Sequence, residues 1–183
     1  MLSFDRVELL EFGGSRLRKW LGRWPPEFSG CCCAASNKMY TLGGGDTFLA
    51  VQYATCDKTD MNAEATSAVA SGNLSSARYG GGAAANPSTA GYVCGGNTNT
   101  TTWVVTGDKL VYSTDTTTAT SSSNLSVARG QVTAQSERST KAYFAGGFDL
   151  TVKYATTDKL TFSTDTTAAQ ASADLSTARS AVA

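Results

Sequence analysis

The residue types that most often carry catalysis are scarce in this 183-residue chain, which contains no His. Without His there is no Ser-His-Asp triad, no Cys-His pair and no His-containing metal site. Five Cys stand at positions 31, 32, 33, 56 and 94. Neighbours on a strand point to opposite faces, so Cys31, Cys32 and Cys33 cannot close a tetrahedral metal site alone. No C-x-x-C pair occurs, and an odd, clustered set is a poor disulfide framework. The thiols therefore read as small buried hydrophobes. Gly43-Gly44-Gly45-Asp46 lacks the Lys-Ser/Thr of a phosphate-binding loop, and no D-x-D-x-D-G calcium loop is present. No cofactor, metal or enzymatic activity is expected. The chemistry left is recognition.

Two groups of residues could supply it. Arg78, Arg129 and Arg179 each close an L-S-x-A-R motif. Set at one level, they would make a ring of cations for an anionic or glycan partner. The other reading has each Arg bonding neighbouring carbonyls or a carboxylate such as Asp108 or Asp158. The second group lies just after paired glycines, where the sequence varies: Asp46 and Phe48, Asn97 and Asn99, Phe148 and Asp149. Variable loops on a rigid scaffold are where binding specificity tends to sit. Phe48 or Phe148 could stack on a sugar, or be buried.

These residues are positioned by an internal repeat. Y-x-x-G-G begins at Tyr40, Tyr92 and Tyr143, offsets of 92−40 = 52 and 143−92 = 51. The L-S-x-A-R arginines step by 129−78 = 51 and 179−129 = 50, and the Asp-Lys pairs at 57–58, 108–109 and 158–159 step by 51 and 50. Three independent markers share one spacing.

Within a unit the apolar period is two. Leu110 and Tyr112 share a strand face, as do Leu160 and Phe162. Paired glycines stop a strand and permit close backbone approach. Ser113–Thr116 and Ser163–Thr166 read as hairpin turns in which the Asp side chain bonds nearby backbone N–H groups. The last unit is expected to hold four strands, at Gln131–Ser136, Lys141–Gly146, Tyr154–Ser163 and Ala168–Leu175. A four-stranded antiparallel unit repeated at this period is the signature of a propeller blade.

The Gly-Gly pairs preceded by Tyr-x-x, the aromatic or apolar strand after them and the Arg opening the next unit resemble a kelch-type β-propeller of the galactose oxidase-like superfamily. The Ser/Thr-rich variety here is similar to repeats in phage virion and bacterial surface proteins. That resemblance covers 25–183 and implies an all-β propeller segment of about three four-stranded blades in an incomplete ring. The blades would run 25–78, 79–129 and 130–179, with a fourth starting at 180. The kelch Trp near the fourth strand is missing, and the superfamily's copper oxidase chemistry needs His that this chain lacks.

Propellers usually close with four to eight blades. Three leave open faces, so further blades are expected from a longer chain, of which this would be a fragment, or from a second subunit. Residues 1–24 fall outside the repeat. There Leu17, Trp20, Leu21 and Trp24 have the spacing of a short amphipathic helix, capped by Ser15 and ended by Pro25. Fifteen Lys+Arg balance fifteen Asp+Glu, which gives no support for a nucleic-acid partner. No apolar run reaches the ~18–20 residues of a membrane span. The resulting expectation is a non-catalytic binding or structural module with a protein or glycan partner, on a virion or extracellular surface rather than in the cytoplasm. A lectin-like propeller and an intracellular protein-interaction propeller are the alternatives.

Overall fold

The computed structural model describes residues 31–180, apart from 36, 47–50 and 100. The expected helix in 1–24, Phe48 and the start of a fourth unit beyond 180 lie outside the described residues. What is described is all-β, with twelve strands and three short 3-10 turns.

The strands form three four-stranded antiparallel sheets, each assembled in chain order. The first contains β1 (Cys31–Ala35), β2 (Lys38–Gly45), β3 (Gln52–Asp60) and β4 (Ala65–Ala68). The second contains β5 (Gly82–Asn86), β6 (Ala90–Cys94), β7 (Gly107–Val111) and β8 (Thr116–Ala119). The third contains β9 (Thr133–Glu137), β10 (Lys141–Ala145), β11 (Thr157–Thr161) and β12 (Thr166–Ala169). Their first strands β1, β5 and β9 lie next to one another. Ala85 N–H donates to Ser136 Oγ at 2.9 Å across the β5–β9 gap.

Strand periodicity sorts the second sheet's residues between its two neighbours. Tyr92 and Lys109 are direct cross-strand partners, as are Tyr40 with Lys58 and Tyr143 with Lys159. The alternate positions, such as Phe144 opposite Asp158, face the other way. Two cores result. Tyr40, Leu42, Cys56 and Leu74 of the first unit meet Val93 and Leu110 of the second. Tyr92, Cys94 and Leu125 of the second meet Phe144, Leu160 and Phe162 of the third.

The strands of the last unit are shorter than the sequence suggests, and β9 and β12 are shifted, for local reasons. Gln131 adopts φ 51°, in the left-handed region, so β9 cannot start there. β12 stops at Ala169 because the chain turns into the 3-10 segment Ala171–Ala173. The main chain of 154–155 is used elsewhere: Leu175 N–H donates to Ala155 O at 2.8 Å and Arg179 N–H to Tyr154 O at 3.1 Å.

Those bonds bring L-S-x-A-R back beneath its own Gly-Gly pair. The second glycine donates to the Arg carbonyl in every unit: Gly44 to Arg78, Gly96 to Arg129 and Gly147 to Arg179, at 2.9, 3.0 and 2.9 Å. The first glycine makes room for that carbonyl. Gly95 has φ 72°, and a Cβ there would sit 2.6 Å from Arg129 O and 2.7 Å from Leu125 Cδ1. Gly43 and Gly146 stand the same way over Arg78 and Arg179. Gly95→Ala combines left-handed strain with a clash against backbone, and is expected to cost about 2 kcal/mol or more, read by urea denaturation.

Candidate functional site

Arg78 and Arg129 leave their own Gly-Gly by the main chain and enter the next sheet by the side chain. Arg78 Nη2 donates to Asp108 Oδ2 at 2.8 Å and to Val93 O at 3.3 Å. Arg129 Nη2 donates to Asp158 Oδ2 at 2.8 Å, and its Nε to Gly146 O at 2.8 Å. Both guanidiniums are sealed from water, with Arg78 at 1% and Arg129 at 0% exposure. Asp108 is also held by the N–H and hydroxyl of Ser75, and Asp158 by the N–H of Ser126. Burying an ion pair costs several kcal/mol per charge unless further hydrogen bonds compensate. The carbonyls and serines supply part of that compensation, while Arg78 Nε, Asp108 Oδ1 and Asp158 Oδ1 have no partner among the described residues.

The outer part of each joint is a second cluster. Tyr40 OH donates to Asp115 Oδ1 at 2.7 Å, and Lys58 donates to Asp115 Oδ2. Tyr92 and Lys109 grip Asp165 in the same way, with Lys109 Nζ 2.7 Å from its Oδ2. The rings stack as well, Tyr40 on Tyr112 at 5.2 Å and Tyr92 on Phe162 at 5.4 Å between centroids. Ser71 donates to Asp115 O and Ser122 to Asp165 O, both at 2.8 Å. These aspartates sit at φ 53° and 54° in the hairpin turns. Their carboxylates do not bond nearby backbone N–H groups, as a turn reading of Ser-Thr-Asp-Thr expects. They reach the preceding sheet instead.

The electrostatics follow from those contacts. Burial pushes the Asp115 carboxyl up, but the hydrogen bonds from Lys58 and Tyr40 and the charge of Lys58 outweigh it and hold it below the ordinary carboxylate value. Asp165 is held down by Lys109 and Tyr92 against the same burial. Tyr40 and Tyr92 are pushed well up, by burial first and then by the hydrogen bond to the facing carboxylate. Burial also pushes the Cys56 thiol up to about 11, with the charges of Asp57 and Asp115 adding to it. A thiol so raised is a poor nucleophile. Cys56 and Cys94 are both buried thiols outside any disulfide.

The candidate ligand residues after the Gly-Gly pairs are largely engaged in their own loops. Asp46 Oδ1 accepts from Val51 N–H at 3.3 Å, and Asn99 Oδ1 from Thr101 N–H at 2.8 Å. Asp149 accepts from Val152 N–H at 2.9 Å and from the Tyr154 hydroxyl. The Tyr154 bond, then the Val152 N–H, hold the Asp149 carboxyl below its ordinary value. Asn97 is buried at 2% exposure, bridges Tyr79 through its main chain, and has no hydrogen-bond partner for its side-chain amide among the described residues. Phe148 meets Trp103 edge to face at 5.6 Å.

The structure therefore corrects the cation-ring expectation at two of three positions. Arg78 and Arg129 are turned inward by carboxylates and carbonyls of the next sheet, and Asn97 is likewise withdrawn from solvent. Only Arg179 is exposed. What the sequence reading did not pick out is the Tyr-Lys-Asp cluster. Its signal was present, because Tyr40, Tyr92 and Tyr143 share the repeat with Lys58, Lys109 and Lys159. No group of three or more metal-ligating side chains occurs among the described residues, and no described helix is long and apolar enough to cross a membrane. Comparison with protein-family models gives no match, and neither does comparison with curated proteins.

Arg129→Ala leaves Asp158 buried and unpaired, so it is expected to lower stability by about 3–5 kcal/mol in chemical denaturation. Arg179→Ala, at the exposed equivalent, is expected to cost less than about 0.5 kcal/mol. Stability should also depend on pH at both ends. The Asp115 and Asp165 contributions are in place above the unfolded carboxylate value of about 3.9 and are lost as pH falls through their lower folded values. Those of Tyr40 and Tyr92 are in place below about 10 and are lost as pH rises through their higher folded values. Melting temperature against pH should show both limbs, and D115N/D165N should flatten the acid one.

Proposed function

We propose that the chain is a run of kelch-like propeller blades serving as a non-catalytic binding or structural module, carried on a virion or an extracellular surface. One observation supports it most: the same inter-sheet joint is built twice, at one sequence period, with the first strands of successive sheets side by side. Sheets joined face to face in this way are how blades share an axis. Further blades come from a longer chain or from a second subunit. The surface location draws its support from the Ser/Thr-rich repeats alone.

The loops at the Gly-Gly end form the recognition surface in this reading. Asp46, Asn99 and Asp149 stiffen their loops, and a stiff loop loses less entropy on binding. The partner is a protein. The lectin-like alternative has one observation in its favour, the half-buried Trp103–Phe148 aromatic pair at that end, since sugar faces stack on such rings.

The test is capture from virion and cell-surface protein preparations against a cytosolic one, run beside a glycan array. Capture of a virion or surface protein with no glycan signal is expected. Glycan binding that disappears in Phe148→Ala would replace this reading with the lectin, and capture of a cytosolic protein alone would replace it with the intracellular interaction module.

A further inference from the structure

The third sheet carries an unfilled copy of the joint. Tyr143 and Lys159 are cross-strand partners on the face that, in the other two sheets, grips the next unit's hairpin aspartate. Tyr40 and Tyr92 are 0% and 1% exposed in their joints, whereas Tyr143 is only half-buried. Arg179, equivalent to the sealed Arg78 and Arg129, is exposed. None of the three has a side-chain hydrogen bond or ion pair among the described residues. This face thus holds two cations and a phenol hydroxyl in the arrangement that twice binds a pair of carboxylates.

The matching carboxylates stand on the opposite side of the first sheet. Asp57 is the repeat equivalent of Asp108 and Asp158, and it neighbours Lys58 on β3, so it faces away from the second sheet. Glu64 is the equivalent of Asp115 and Asp165. It shares their left-handed backbone, φ 51° against 53° and 54°. Met61 stands where Tyr112 and Phe162 stack on a tyrosine, and it is 49% exposed.

We propose that the third sheet of one chain docks head to tail on the first sheet of a second copy. Arg179 takes Asp57 of the other copy, Tyr143 and Lys159 take its Glu64, and its Met61 covers the Tyr143 ring. Thr41 and Thr59 replace the apolar Val93/Phe144 and Leu110/Leu160 of the internal joints. This joint is therefore weaker, more dependent on charge, and weakened further by salt. Such a contact is heterologous, and two copies would bring six sheets together, within the range in which propellers close. The inference rests on the blade reading only in that the internal joints repeat, and it is independent of the partner.

Sedimentation equilibrium of the full chain at low and high salt tests it. Concentration-dependent association that weakens with salt is expected. E64K and K159E should each lower the association constant by about 100-fold while leaving the melting temperature unchanged at concentrations where all are monomeric. Mixing E64K with K159E should restore a 1:1 dimer, because Lys159 of one meets Glu64 of the other. A wild-type chain that stays monomeric, or association indifferent to both substitutions, would overturn the proposal. If partner capture survives in that case, only this inference fails. If capture of a foreign protein by a monomeric chain is lost in K159E, the face belongs to that protein and self-docking is wrong.

Discussion

A guanidinium closed off from water between two sheets, held against a carboxylate of the second, is the constraint around which the rest is arranged. Charges of this kind are tolerated inside a protein when further hydrogen bonds offset their lost hydration. Val93 O and Gly146 O provide acceptors here, and they sit at the ends of strands that must stop where they do. The Arg main chain has its own requirement, a carbonyl pressed against a Gly-Gly corner where no Cβ fits. Gly-Gly, L-S-x-A-R and Asp-Lys are therefore three parts of one connection, and this is why they keep the same spacing.

The division of labour has a functional side. Polar residues that look available in the sequence are consumed in two ways, between sheets or within loops. The arginines and the hairpin aspartates hold sheet to sheet. Asp46, Asn99 and Asp149 hold the loops in shape. The Cys56 thiol is pushed away from reactivity by its surroundings. Recognition by shape and by aromatic and polar loop surface is the role proposed for such a framework.

Much of the architecture was legible in the sequence because repetition exposes it. Leu110 with Tyr112, and Leu160 with Phe162, gave both the strand period and the buried face. Spacing alone could not give direction. An Arg at a fixed position in every unit satisfies a ligand ring and an internal clamp equally well, and only the distance to Asp108 or Asp158 separates them. Ser-Thr-Asp-Thr was readable as a turn. That its carboxylate crosses to the preceding sheet depends on packing between units that no local pattern encodes. Strand ends were misjudged where a backbone dihedral, as at Gln131, or a competing bond, as at Tyr154, overruled apparent propensity.

In the second sheet the hairpin aspartate Asp115 and the Tyr92–Lys109 pair lie on opposite sides, so that unit carries one half of two different connections. Copying or deleting a whole period regenerates a matched junction at the splice, with no compensating change elsewhere. Loss of half a period would not. The length of such an array is thus free to drift by recombination in steps of one full sheet, while the chemistry holding its members together stays fixed.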